Sequence, residues 1–476
     1  MKGFHGTVRP GMTRTALGLL LLTASLISPA LAHAPPGAME RPFAPAEKGA
    51  RVIYAGVTLI DGRGGPAQPG MAVITEGERI ANVLPLAQLD AASRTGATLI
   101  DLTGQYLIPG LIDSHQHMAT PPNRVQAEAQ MRRDVFGGVT AVRDMADDLR
   151  AINEYARAAR VGEVPGPDIW AAALFAGPDF FDDPRTAAAA EGVKPGAVPW
   201  MRAVDDTTNL SEAVTLARGT SAIAVKLYDN LRPQDVRAIT AEAHRQGLRV
   251  WAHGMVFPTP PADVVAAGVD SISHTCYLAY HISNPRPLTY KDRRLVEIDR
   301  LKGGDNPEMA ALFKDMAKRG IILDATLRVY QEYDKRLTAK PDMKPRPHCT
   351  LDVAAALTAQ ARREGVTIVT GTDGVPPAAH PWPALYDELT LLHSRAGMST
   401  AEVIRAATLD GARVLGQEAE MGSVEAGKLA NFVVLARDPL ADLGNLTSIR
   451  FTVKRGTRLD RTAYRPITAQ EMPQDD

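Results

Sequence analysis

From residue 123 onward one short unit recurs along the chain. A stretch with helical apolar spacing ends in Gly, and a β-branched run follows at once, as in FGGVTAVRD, RQGLRVWAH, AAGVDSISH, KRGIILDAT and REGVTIVTGTD. Gly just past a helix takes the left-handed conformation that ends it. The Val/Ile/Leu run after it has the pattern of a strand buried on both faces. In RPQDVRAITAEAHRQG, Pro233 stands near the first turn, Val236, Ile239 and Ala243 fall at helical spacing, and Gly247 stops the helix. Such units in series imply a parallel sheet, because each strand is reached by a helical crossover. Strands can be placed at 107–113, 139–143, 168–174, 221–227, 248–252, 269–273, 321–326 and 366–371. Eight of them predict an α/β fold, a TIM (β/α)8 barrel over 107–414, with a doubly wound open sheet as the alternative.

The flanks lack this alternation. RVIYAGVTLI from Arg51, MAVITEGERIANVLP with a turn at Glu76-Gly77-Glu78, KLANFVVLARDPL and IRFTVKRGTRL all read as strands. Segments 51–106 and 415–466 are therefore expected to pair into one small composite β-sandwich domain built from both termini.

The N-terminus is a separate matter. Lys2, Arg9 and Arg14 precede an apolar run from Ala16 to about Ile27, which closes on Ala30-Leu31-Ala32. This is the pattern of a secretory signal peptide, residues 1–32, cleaved after Ala32. A Pro/Ala-rich linker over 33–50 would follow. Export to the periplasm or medium, with no stable membrane insertion after cleavage, is the expectation. Cleavage removes three basic and no acidic residues and takes the net charge from −1 to −4. The near balance of 53 basic and 54 acidic residues argues against a nucleic-acid partner. Cys276 and Cys349, the two cysteines, can pair or remain buried thiols. A homo-oligomer is left open.

In a TIM barrel the chemistry sits at the C-terminal ends of the strands. The first predicted strand ends in LIDSHQH, which delivers His115 and His117 two residues apart and so to one side. The fourth carries Lys226 among apolar residues, the fifth ends in His253, the sixth in His274 and the eighth in Asp373. Each has an ordinary reading: a snorkelling lysine, core histidines, a helix cap. Yet the chain has only 11 histidines, and four of them fall at these strand ends. That coincidence points to a divalent metal.

PGLIDSHQH, GGVTAVRDM, VKLY, WAHG, ISHT, TGTDG and MGSVEAGKLANFVVL together resemble the amidohydrolase superfamily, most nearly its imidazolonepropionase/prolidase-like (Xaa-Pro dipeptidase-like) branch. The resemblance spans about Arg51 to Lys454. It implies His115 and His117 on a first metal, His253 and His274 on a second, and Asp373 on the first metal and the attacking water. It also implies Lys226 as a carbamate bridging both. An ammonium has no lone pair to offer, whereas a carbamate oxygen does. Mononuclear imidazolonepropionases lack this lysine, so Lys226 favours two ions, with Zn²⁺ best suited to the mixed N/O ligands and Mn²⁺ or Co²⁺ as alternatives. Asn431 stands where the family commonly has Asp, and ISHTCYLAYHI departs from the usual EHG, which points to an altered pocket wall.

The implied function is metal-dependent hydrolysis of a C–N (amide or peptide) bond by a metal-bridging hydroxide, with Asp373 moving the proton. A dipeptide or other small molecule is the expected substrate. Tyr228, two residues after Lys226, holds a substrate carboxylate by resemblance or packs at the rim. Arg143 is placed to pair with a substrate carboxylate or with a structural acid. Tyr277, in a long connection rich in aromatics, is a further candidate for substrate contact. A cyclic amide, lactone or phosphotriester is the alternative substrate on the same site. A non-catalytic metal-binding protein fits the complete ligand set least well.

Overall fold

The computed structural model describes residues 41–472 except 293, 302–304 and 345–346. The expected signal peptide and residues 33–40 of the expected linker lie outside the described residues. Residues 41–50 are tied to the body: Phe43 N–H donates to the Gly162 carbonyl and Ala46 N–H to that of Arg455.

Among the described residues eight parallel strands form the barrel. They are β1 (Leu111–Gln116), β2 (Val139–Asp144), β3 (Asp168–Ala176), β4 (Ala224–Leu227), β5 (Arg249–His253), β6 (Ser271–Ser273), β7 (Ile322–Asp324) and β8 (Ile368–Val369). Each pairs in parallel with the next from β1 to β8. The ring closes where Ser114 N–H donates to the Thr370 carbonyl and Thr370 Oγ1 to that of Ile112. The helix Pro233–Arg245 forms as its spacing predicts, burying Val236, Ile239 and Ala243, and Gly247 takes φ +79°. A short hairpin, Ala197–Val198 with Met201–Ala203, adds to the end of β3.

The strands from the two termini form a separate eight-stranded mixed sheet. Tyr106–Pro109 sits between Arg51–Leu59 and Phe432–Leu435. The turn after Glu76 is the expected hairpin, with Glu76 opposite Arg79. Its apolar centre includes Tyr54, Val73, Leu107, Phe432 and Phe451, with the Tyr54 and Phe432 rings edge-on at 4.9 Å.

One expected strand is corrected. The run 107–113 is two strands: Tyr106–Pro109 belongs to the mixed sheet, and the barrel begins at Leu111. The chain crosses between them at Gly110, whose N–H donates to the Asn431 carbonyl. A Cβ there would lie 2.1 Å from Thr140 Oγ1, so only glycine lets the two sheets approach this closely.

Candidate metal centre

The six residues expected as ligands occupy the C-terminal mouth of the barrel. Four imidazoles run in a chain, with ring centres 5.4 Å apart from His117 to His115 and 5.0 Å apart from His115 to His274 and from His274 to His253. Asp373 enters among them. Its Oδ1 lies 3.6 Å from His115 Nε2 and 3.5 Å from His117 Nε2, and its Oδ2 lies 3.8 Å from His274 Nε2. Ligand atoms of His115, His274 and Asp373 all fall within 4.8 Å of one another, close enough to hold a metal ion. Lys226, buried in β4, donates through Nζ to Ser273 Oγ at 3.2 Å.

The backbone carries strain at this end. Among the described residues seven non-glycine residues have positive φ, and five of them lie in the loops leaving barrel strands: Ala146, Asn230, His274, Thr326 and Asp373. Left-handed backbone at a non-glycine residue costs energy and tends to mark functional sites. Here it places His274 and Asp373 themselves.

Three imidazoles are held from behind. His115 Nδ1 meets Asp324 Oδ2 at 2.7 Å, His117 Nδ1 meets Asp147 Oδ1 at 2.8 Å, and His274 Nδ1 meets Thr326 Oγ1 at 2.9 Å. Partners on Nδ1 leave Nε2 as the free, ligand-ready nitrogen. His253 differs: its Nδ1 is buried and, among the described residues, has no hydrogen-bond partner. An orphaned buried nitrogen calls for an explanation, and a bound ion supplies one.

Three of the four rings are held in the charge state that metal binding needs. Burial holds His115, His253 and His274 well below the usual imidazole range; Lys226 adds to this for His115 and His253, and His115 leads the neighbours of His274. These rings are therefore neutral, with lone pairs to offer. Burial opposes charge on His117 as well, but Asp147, Asp373 and Asp144 outweigh it and push its pKa up to about 9. Burial, reinforced by Arg143, brings the Lys226 ammonium down to about 7. The donor set fits a divalent cation in atom type, with an ion at His117 taking the place of the proton that the surrounding acids favour there.

Two expected substrate contacts are corrected. Arg143 is fully buried beneath the mouth. It donates to the Ser114 carbonyl, to Ser271 Oγ at 2.8 Å and to Asp324 Oδ2 at 2.9 Å, and its guanidinium lies 4.7 Å from the Trp251 ring centre. It is the partner of a structural acid, the second of its two readings. Tyr277 is 4% exposed and lies behind His253, stacked at 5.2 Å, with His348 on its other side at 4.8 Å. Cys276 beside it is disulfide-bonded to Cys349, which ties the His348 loop to this wall.

Tyr228 does face the cavity in front of the cluster, which holds about 330 Å³ and is lined also by Phe180, Arg185, Met201 and Val375. Its ring packs 4.2 Å from that of His253. Arg185 donates to the hydroxyls of Tyr228 and Tyr290, both at 3.2 Å, and pairs with Asp183. Sequence reasoning missed Arg185, Asp147 and Asp324. DDPRT carries no periodicity or spacing that sets its arginine apart, and the acids offered no signal beyond standing at the end of one strand (Asp324) and just after another (Asp147).

A family model described as the amidohydrolase family matches residues 106–459. The chain belongs to the amidohydrolase family. It is 24% identical over 398 residues to an imidazolonepropionase of Symbiobacterium thermophilum, covering 77% of this chain and 84% of that protein. Among solved structures, a Xaa-Pro dipeptidase with bound methionine superposes with a TM-score of 0.64 at 20% identity, covering 86% of this chain and all of that one. The A. niger ochratoxinase superposes with a TM-score of 0.66 at 20% identity, covering 88% of this chain and 97% of that one. At such identities these superpositions speak for the fold of this amidohydrolase. No helix of the described residues is long and apolar enough to cross a membrane.

Proposed function

We propose that this amidohydrolase cleaves the amide bond of a dipeptide or similar small carboxylate-bearing substrate with two divalent metal ions, Zn²⁺ being the best match. The observation that carries this reading is the set of four converging imidazoles with Lys226 and Asp373 in one buried mouth. His115, His117 and Asp373 would hold one ion, and His253 and His274 the other. Lys226, brought down to about 7 by burial, is available as the neutral amine that carbon dioxide carbamylates, which would give an oxygen to both ions. Bound there, the ions would lower the pKa of a water molecule and polarise the scissile carbonyl. Asp373 Oδ1, between the Nε2 atoms of His115 and His117, is placed to take the proton of that water and hand it to the leaving amine. Arg185 and Tyr228, on the cavity wall, are placed to receive the substrate carboxylate. Phe180 and Met201 line the same cavity and exclude water around the acyl side.

The test is metal content per chain on the purified protein and on Lys226→Ala, with a panel of dipeptides and N-acyl amino acids assayed on both. About two ions per chain, falling in the variant together with hydrolysis, is the expected result. One ion, unchanged in the variant, would move the reading to a mononuclear hydrolase of cyclic amides. We also propose export, supported by the basic, apolar and Ala-x-Ala order of the first 32 residues and by the Cys276–Cys349 disulfide, which persists in oxidising compartments. Cell fractionation with N-terminal sequencing should find mature protein outside the cytoplasm, beginning at His33.

A further inference from the structure

Behind the imidazoles lies a buried acid that the proposed reaction does not use. Asp324 ends β7 and is completely buried. Its Oδ2 accepts from three groups: His115 Nδ1 at 2.7 Å, Arg143 Nη2 at 2.9 Å and Ser273 Oγ at 2.9 Å. Ser273 Oγ in turn accepts from Lys226 Nζ at 3.2 Å. One carboxylate oxygen is thus joined directly to a histidine of the first proposed metal and, through a single hydroxyl, to the proposed bridging lysine. Its other oxygen has no hydrogen-bond partner among the described residues. That oxygen faces Gly371: a Cβ there would lie 2.0 Å from Asp324 Oδ1 and 2.7 Å from the Cβ of His115. The glycine of TGTDG therefore leaves the space in which Asp324 reaches His115.

The other carboxylate behind the cluster makes a useful contrast. Asp147 Oδ1 meets His117 Nδ1, and its remaining bonds go to Ala119 N–H and Thr120 Oγ1 in the local loop. It touches one ligand and nothing that leads to Lys226.

We propose that Asp324 is a positioning residue that couples the two halves of the metal centre. It sets the orientation and tautomer of His115 and, through Ser273, the position of the Lys226 nitrogen. Arg143, held over Trp251, keeps it in place. A neutral side chain at this position weakens both metal sites together, whereas loss of Asp147 weakens one. This rests on the two-metal reading above.

The experiment measures Zn²⁺ affinity at each site by competition with a chromophoric chelator. It compares the full-length wild type with Asp324→Asn, Asp147→Asn and Ser273→Ala. Asparagine keeps the shape and removes the charge. The expected result is a loss of about 10- to 100-fold at both sites in Asp324→Asn, and at one site only in Asp147→Asn. The visible spectrum of the Co²⁺-loaded Asp324→Asn protein should change at both ions, which a general loss of stability would not produce. If Asp324→Asn does not fold, Ser273→Ala decides: it cuts only the Lys226 arm and should weaken binding, whereas wild-type affinity at both sites overturns the proposal. Two ions in the wild type with only one weakened in Asp324→Asn overturns the coupling alone. A single ion in the wild type overturns the two-metal reading and the coupling with it.

Discussion

The mixed sheet and the barrel mouth are both buried, but they bury different things. Between the strands of the sheet the interior is Tyr54, Val73, Leu107, Phe432 and Phe451, apolar groups that fit a pleated face. At the mouth the interior is Asp113, Arg143, Asp144, Asp147, Lys226, Asp324 and three imidazoles with almost no exposure. Burying apolar surface stabilises a fold. Burying charge costs free energy unless every group is paired, and it leaves nitrogen lone pairs and a lysine amine in reactive form. The sheet contributes stability, and the mouth spends some of it on chemistry.

The sharpest way to break this contrast is Asp373→Asn. If the mouth is the site of reaction, hydrolysis should fall by about 10²- to 10⁴-fold while the melting temperature changes little. A steady-state assay beside a thermal melt checks both, and unchanged turnover would remove Asp373 from the mechanism. Next comes Phe432→Ala in the sheet. It should destabilise by about 3–5 kcal/mol, read by denaturant unfolding, with metal content per folded chain unchanged. A Phe432→Ala protein that is stable but metal-poor would show that the two regions are not separable in this way.

The most gradual effect concerns pH. Glu388, at zero exposure, accepts from the N–H groups of Leu327 and Arg328 at 3.0 and 2.7 Å and so caps the helix Leu327–Ala339 that follows β7. Burial outweighs these bonds and raises its pKa to about 8. Its folded pKa therefore lies above the unfolded value. Between roughly pH 4.5 and 8 the unfolded chain releases this proton while the folded one keeps it, so stability falls as pH rises through that window. The slope is at most about 1.4 kcal/mol per pH unit. Glu388→Gln should flatten the slope of unfolding free energy against pH between 5 and 8, and an unchanged slope would assign it to other groups.

The fold was legible because its signals are local. Helical spacing, a stopping glycine and a β-branched run sit within a few residues of each other, and the five barrel strands at Val139, Arg249, Ser271, Ile322 and Ile368 follow those signals. The division at Gly110 was not legible, because LIPGLID is apolar on both sides of it. The reason for the break, Thr140 pressing on Gly110, lies on another strand. The mouth divides in the same way. His115, His117, Lys226, His253, His274 and Asp373 announce themselves by residue type at strand ends. Arg143 stayed undecided between its two readings because a strand-terminal arginine reads the same whether it points down into the barrel or up into the cavity. Tyr277 was misplaced because the direction of a short helix after a strand is not written in its residues. Asp324 meets His115, Arg143 and Ser273, and Arg185 meets Tyr228 and Tyr290, across long stretches of sequence, and a single chain gives no sign of such pairings.

The strand Tyr106–Pro109 leads through Gly110 into the strand that carries His115, and it lies against Phe432–Leu435. A ribosome delivers those later residues long after the histidines. The nascent chain can wind the barrel units one by one, but the root of the first is held on one edge only, by Arg51–Leu59, until the C-terminal strands arrive to cover the other. The setting of the mouth is thereby tied to completion of synthesis, and a chain broken off before residue 432 would carry its histidines on a strand whose root is paired on one edge alone.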